Sequence, residues 1–173
     1  MFLTYYGLHR QPFGVTPDPA SLFPAASHRE AFASLMYGIE ARRGFMALIA
    51  PPGMGKTTLL FRLMDQIRTS ARSAFLFQMQ SSPREFLYNL AVDMGLECSG
   101  SYTLGDLQRR LNDALLEESR QGRRVVLALD EAQHLDHSIL ETVRMLSNFE
   151  TTQAKLMQVI LAGQPQLADR LAS

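Results

Sequence analysis

The stretch "GFMALIAPPGMGKTTLL", Gly44 to Leu60, decides the fold. A short apolar run leads into two prolines and two glycines, then into a lysine, two threonines and a helical pattern. A strand, a glycine-rich turn and a helix in that order make a phosphate-binding loop. Successive backbone N–H groups cradle phosphate while the positive end of the helix faces it. Gly53 and Gly55 supply backbone conformations and a close approach that a Cβ would obstruct. Lys56 is placed to reach β- and γ-phosphate oxygens, and the Thr57 hydroxyl to ligate Mg²⁺. Pro52, Met54 and Thr58 complete the residues expected around a bound nucleotide, Thr58 as a helix-opening residue. The first glycine of the strict pattern is replaced by Ala50. That position leaves the strand before any phosphate is in reach, so alanine fits if its φ stays negative. Prolyl nitrogens donate nothing, and phosphate donors therefore begin at Gly53.

Outward from this loop, short apolar runs alternate with helical patterns. Residues 73–79, 123–135 and 155–167 read as further strands, and 57–70, 82–96, 103–122 and 138–150 as helices. Ser82 and Thr103 are expected to cap their helices, and Gly122 to end the second of them. Ser27 and Glu30 suggest a capping box for a helix over 27–41 that buries Phe32, Leu35, Met36 and Ile39. Strands apolar on both faces and separated by helices predict an α/β fold, a parallel sheet flanked by helices on both sides. Residues 1–24 carry Pro12, Pro17 and Pro19 and cannot form a long helix. They read as a disordered leader or as an extended strap pinned by Tyr5, Tyr6, Phe13 and Phe23.

The run "VVLALDEAQHL" ends an apolar strand in Asp130 and Glu131. Two carboxylates at a strand terminus are poorly explained by packing, since one would be an unpaired charge beside the core. In nucleoside triphosphatases that place an extra strand between these two motifs, the aspartate holds the Mg²⁺ shell and the glutamate activates water. The expected cofactors are ATP and Mg²⁺, with Thr57 and Asp130 on the metal and Glu131 and Lys56 in catalysis. "DEAQH" is not the helicase box DEAH: the fourth residue is Gln133, which leaves His134 as a surface or capping residue. Gln164, at the tip of the strand expected beside the acidic one, is a candidate to orient water or sense the γ-phosphate.

The composition narrows the classes. Lysine plus arginine equals aspartate plus glutamate, 17 each, so no global field concentrates nucleic acid or an anionic membrane. The arginines at 109, 110, 120, 123 and 124 are the best basic candidates, but Asp113, Glu117 and Glu118 interleave them. One cysteine, Cys98, excludes an internal disulfide and a cysteine metal site, which fits a reducing cytoplasm. No apolar run approaches the ~20 residues that span a bilayer, and the N-terminus does not read as a signal peptide.

Taken together, "YYGLHRQPFGVTPDPASLF", "HREAFASLMYGI", "GMGKTTLL", "LALDEAQHL", "LSNFET" and "LAGQPQL" resemble the AAA+ ATPases of the ExeA (general secretion pathway protein A) type. Exosortase-associated ATPases, and more distantly TniB- and MuB-like transposition ATPases, share the pattern. The resemblance runs over nearly all of 1–173. It implies one P-loop NTPase core (27–173) preceded by a strap (1–26) near the adenine. It also implies a five-stranded sheet with the phosphate strand central and the acidic strand beside it. Phe13, Phe23 and His28 would lie closest to the base, or else be plain core anchors. Asn148 would face the γ-phosphate or a neighbouring subunit, or else cap its helix. The implied partners are ATP/ADP, further copies in a ring, and envelope or secretion-system proteins, with DNA a less favoured alternative. The implied place is the cytoplasm, with inner-membrane association through a segment outside this chain. The chain ends at Ser173, so the expectation is a core without its helical lid, fifth strand or arginine finger.

Overall fold

Strand pairing sets the architecture. The computed structural model describes residues 2–7, 24–77, 82–152 and 154–172. The elements in chain order are α1 (Phe2–Tyr5), α2 (Ala26–Glu40), β1 (Phe45–Ile49), α3 (Lys56–Ile67), β2 (Ala71–Leu76), α4 (Pro83–Asp93), α5 (Leu104–Arg120), β3 (Arg124–Leu129), α6 (His137–Ser147), β4 (Met157–Gly163) and α7 (Gln166–Ala172). The strands form one parallel sheet in the order β1-β4-β3-β2. The expected α/β P-loop architecture is present, but the strand order departs from the expectation. The phosphate strand β1 stands at an edge of the four described strands, and β4, not the acidic strand β3, is its neighbour.

Alternate strand residues face two cores, as the two-residue period requires. Val126, Ala128, Ile160 and Ala162 pack against Leu35 and Ile39 of α2 and Leu60, Leu63 and Ile67 of α3. Val125, Leu127, Leu129, Val159 and Leu161 pack on the other face against α4, α5, α6 and Leu167 of α7. The central strands β3 and β4 are buried on both sides, which explains their unbroken apolar runs. Phe32 and Met36 lie partly buried beside Leu35 and Ile39, so the expected inner face of α2 forms.

Several boundaries differ, each for a local reason. Helix α2 starts from Ala25, which is extended and gives no side-chain cap, so Ser27 lies inside the helix and the Ser27–Glu30 box does not form. Ser82 and Thr103 do cap α4 and α5, Thr103 within a reciprocal box with Asp106. Strand β2 occupies 71–76 rather than 73–79 because its register against β3 runs from Ala71↔Arg124 to Leu76↔Leu129. The run 155–167 is not one strand. It breaks after Gly163, because Pro165 cannot donate to a ladder, and α7 begins at Gln166. Likewise β3 ends at Leu129, and Ala132–His134 form a single 3-10 turn. Tyr5 and Tyr6 are exposed, not pinned to a core; Phe13 and Phe23 lie outside the described residues. No described helix is long and apolar enough to cross a membrane.

At the end of the sheet where the strands begin, Glu118 of α5 is buried yet charged. It accepts from Arg72 Nη1 of β2 (2.6 Å) and from Arg123 Nε (2.5 Å) at the approach to β3. The Arg123 hydrogen bond holds its carboxyl below the usual range, against the opposing effect of burial and with further help from Arg72. A carboxyl depressed in the folded state stabilises the fold at neutral pH and loses that contribution as pH falls through its folded pKa. Glu118→Gln should therefore cost about 1–3 kcal/mol near neutral pH. In urea unfolding, the gap between variant and parent should close as the pH falls below the ordinary carboxylate range.

Candidate nucleotide site

The parallel sheet brings the carboxyl ends of β1, β4 and β3 into one row, and the sequence motifs sit on those ends. Ala50 is not among the described non-glycine residues with positive φ, and its N–H donates to Gly163 O of β4 at 3.2 Å. It acts as one more rung of the β1–β4 ladder, which is why alanine serves there. Gly53 (φ 78°) and Gly55 (φ 74°) take left-handed conformations. Gly55 is the N-cap of α3 and offers no side-chain acceptor, so the first amides of α3 keep no capping partner from that residue. That combination of loop amides and helix end is suited to an anion.

Lys56 is buried to 7% exposure, and its ammonium turns back on the loop, donating to Ala50 O (2.9 Å) and Pro51 O (3.1 Å). The two prolines therefore do more than stiffen the chain: the carbonyl of Pro51 helps to hold the lysine head inside the loop. Thr57 Oγ1 donates to Asp130 Oδ2 at 2.5 Å, joining residues 73 positions apart. Asp130 is itself buried, and its Oδ1 accepts the Glu131 N–H at 2.9 Å. A hydroxyl and a carboxylate in contact at the end of the loop are hard oxygen donors of the kind Mg²⁺ takes, so these residues fit that ion. Thr58, half-buried, follows on α3.

Glu131 is exposed and left-handed (φ 51°), so the chain leaves the strand direction there. Gln164 is half-buried at the carboxyl end of β4, between the loop and the acidic residues. Sequence reasoning passed over Gln133, treating it only as a departure from a helicase box. Its Nε2 donates to Glu131 Oε2 at 2.5 Å and its Oε1 accepts from Gln164 N–H at 3.0 Å. Arg170 of α7 donates to the Gln133 carbonyl at 2.5 Å. The only signal for Gln133 was its position two residues after Glu131, and no pattern marks that position by itself.

His28 of α2 reaches the loop through Nε2, 3.0 Å from Met54 O. A carbonyl only accepts, so Nε2 carries a hydrogen; Nδ1 is buried and has no hydrogen-bond partner among the described residues. The ring stands between a cavity of about 190 Å³ that includes Ala50, Met54 and Lys56 and one of about 160 Å³ lined by Pro24, Phe32 and Arg62. The other two residues expected near the base, Phe13 and Phe23, lie outside the described residues.

Asn148 takes the capping alternative, not a place at the γ-phosphate of its own chain. It is the exposed C-cap of α6, its N–H bonded to Met145 O. Its neighbour Ser147 borders Gly44, where β1 begins, whereas the phosphate loop follows the other end of β1. At ~3.3 Å per residue the five-residue strand separates Asn148 from the loop of its own chain by roughly 17 Å. His134 is exposed in the 3-10 turn.

Comparison with known proteins agrees with this geometry. The family model described as AAA domain matches residues 39–171. General secretion pathway protein A of Aeromonas hydrophila is 36% identical over 171 residues, 99% of this chain but 31% of that protein, so the chain spans about a third of the relative's length. Among solved structures, Cdc6p of Pyrobaculum aerophilum superposes with a TM-score of 0.67 at 16% identity, covering 90% of this chain and 42% of that one. The ORC2 protein of Aeropyrum pernix, solved as ADPNP-ADP complexes, gives 0.67 at 13% identity, covering 95% and 47%. At these identities the two structures speak to fold alone.

The loop geometry carries a direct test. A Cβ at Gly53 would meet nothing within 4 Å, so Gly53→Ala isolates the backbone term. It should destabilise the chain by about 1–2 kcal/mol, the penalty of a left-handed L-residue, read as a lowered urea midpoint.

Proposed function

We infer the function from an established premise, that this chain belongs to the AAA domain family, ATPases built on a phosphate-binding loop. The reading is that the chain binds ATP with Mg²⁺ and hydrolyses it. The observation that carries it is the 2.5 Å contact between Thr57 Oγ1 and Asp130 Oδ2, which joins the two motifs at one point.

On this reading the N–H groups from Gly53 onward and the α3 terminus surround the β-phosphate. Lys56 exchanges its loop carbonyls for β- and γ-phosphate oxygens. Thr57 and Asp130 would hold Mg²⁺, which would supply neutralisation of phosphate charge when bound. Glu131 takes the proton of the attacking water, and Gln164 fixes the position of the γ-phosphate or that water. His28 lies against the nucleoside. Hydrolysis would drive assembly or remodelling of an envelope or secretion complex by a ring of such chains, working from the cytoplasm. Support for that setting is the 36% identity to general secretion pathway protein A, a relative named for secretion.

A DNA-binding regulator is the alternative, and the charged side chains weigh against it. Arg109, Arg120 and Arg123 are each within 4 Å of an acidic partner: Asp106 (3.7 Å), Glu117 (3.6 Å) and Glu118 (2.5 Å). Arg110 stacks over Tyr102 at 5.3 Å. Few free cations remain there to displace counterions from a duplex.

Lys56→Ala should weaken binding of a fluorescent ATP analogue by about 100-fold or more, the loss of charge-assisted contacts to phosphate. Unchanged affinity would remove the site assignment. Glu131→Gln should leave that affinity nearly intact and lower turnover by about 10²–10⁴-fold.

A further inference from the structure

Gln133 joins three separate parts of the site. Its side chain spans from Glu131 Oε2 (2.5 Å) to the Gln164 N–H (3.0 Å), and its carbonyl accepts from Arg170 of α7. The orientation of the amide is forced. A backbone N–H can only face Oε1, and an ionised carboxylate can only accept from Nε2, so both contacts hold together and neither survives a flip. The residue is 9% exposed, and its amide has little water to turn to if either contact is lost. The backbone beside it leaves room for both the amide and the first residues of α7: a Cβ on Gly163 would stand 2.7 Å from Gln133 Oε1 and 2.8 Å from Leu167 Cδ2.

Glu131 gains most from the contact. It lies in a left-handed conformation at the strand exit, exposed, with nothing in its own backbone to fix where the carboxylate points. Its side chain accepts from the Gln133 amide. Gln164 is on a different strand, at the place nearest a terminal phosphate on the reading above.

We propose that Gln133 is a positioning residue that couples Glu131 to the end of β4, so that a γ-phosphate sensed at Gln164 resets the direction of the Glu131 carboxylate. The proposal rests on the assignment of Glu131 as the base and adds the residue that aims it. Gln133 touches neither nucleotide nor water; it acts through the glutamate on one side and the Gln164 amide on the other.

Two experiments test it. The first uses the unaltered chain, ¹⁵N-labelled, and follows the Gln133 side-chain amide and the loop amides by NMR. A non-hydrolysable Mg·ATP analogue should shift both, and Mg·ADP the loop alone. If the analogue shifts the loop and leaves the Gln133 amide in place, the coupling is wrong while nucleotide binding stands. If neither nucleotide moves the loop, the functional reading fails and the proposal fails with it. This arm requires no turnover and decides by itself.

The second is kinetic. Gln133→Leu keeps roughly the same volume and removes both side-chain hydrogen bonds. It should lower kcat by about 10- to 100-fold with KM within about twofold, the pattern of a misaimed group rather than a damaged binding site. Combined with Glu131→Gln, Gln133→Leu should lower residual turnover no further. A raised KM, an unchanged kcat, or additive losses in the double variant would each overturn the proposal.

Discussion

A hydroxyl on the helix after β1 touches a carboxylate at the end of β3, although β4 lies between those strands. The Thr57–Asp130 contact is possible only because parallel strands all release their chains at the same end of the sheet. Reversing β1 or β3 would send its motif to the opposite end of the sheet. The register of β4 against both neighbours, Ile49↔Gly163 on one side and Leu129↔Leu161 on the other, therefore fixes the site as firmly as the motif residues do. Burial of β4 on both faces keeps that register from slipping, since a one-residue shift would exchange its two cores.

Much of this was legible in the residues because the physics involved is local. A glycine-rich turn between strand and helix, hydroxyl residues at Ser82 and Thr103, and apolar runs of strand length each carry their meaning within a few positions. What escaped was set at longer range. Sequence cannot state which strand lies beside which, so the order β1-β4-β3-β2 contradicted the expected adjacency of the two motif strands. Ser27 looked like a cap because Glu30 followed, but the chain after Pro24 already enters the helix at Ala26. Residues 164–167 followed an apolar run and were counted with its strand, yet Pro165 closes the ladder and α7 starts at Gln166. Gln133 was invisible for a different reason: its role consists of partners at 131, 164 and 170, and no spacing rule connects them.

The two ends of the sheet hold charge differently. At the end where the strands begin, Glu118 is enclosed by two arginines and its oxygens are committed to them. At the other end, Lys56 rests on neutral carbonyls and Glu131 on a neutral amide. Carbonyl and amide contacts can be exchanged for phosphate and water at small loss, whereas breaking a buried ion pair leaves a charge without compensation. The first arrangement suits a structural fastening, the second a group that has to change partners.

Position at the sheet edge has a kinetic consequence for β1. The strand pairs with β4 on one side only among the described strands, and Phe45 and Ile49 are exposed. Every second peptide group of β1 thus lacks a ladder partner there, while β3 and β4 are bonded on both sides. Opening fluctuations should be cheaper in the two edge strands, β1 and β2, than in β3 and β4, and the β1 amides should exchange with solvent ahead of those in the interior strands. One of the two singly anchored strands is thus the one whose end must adapt to a ligand.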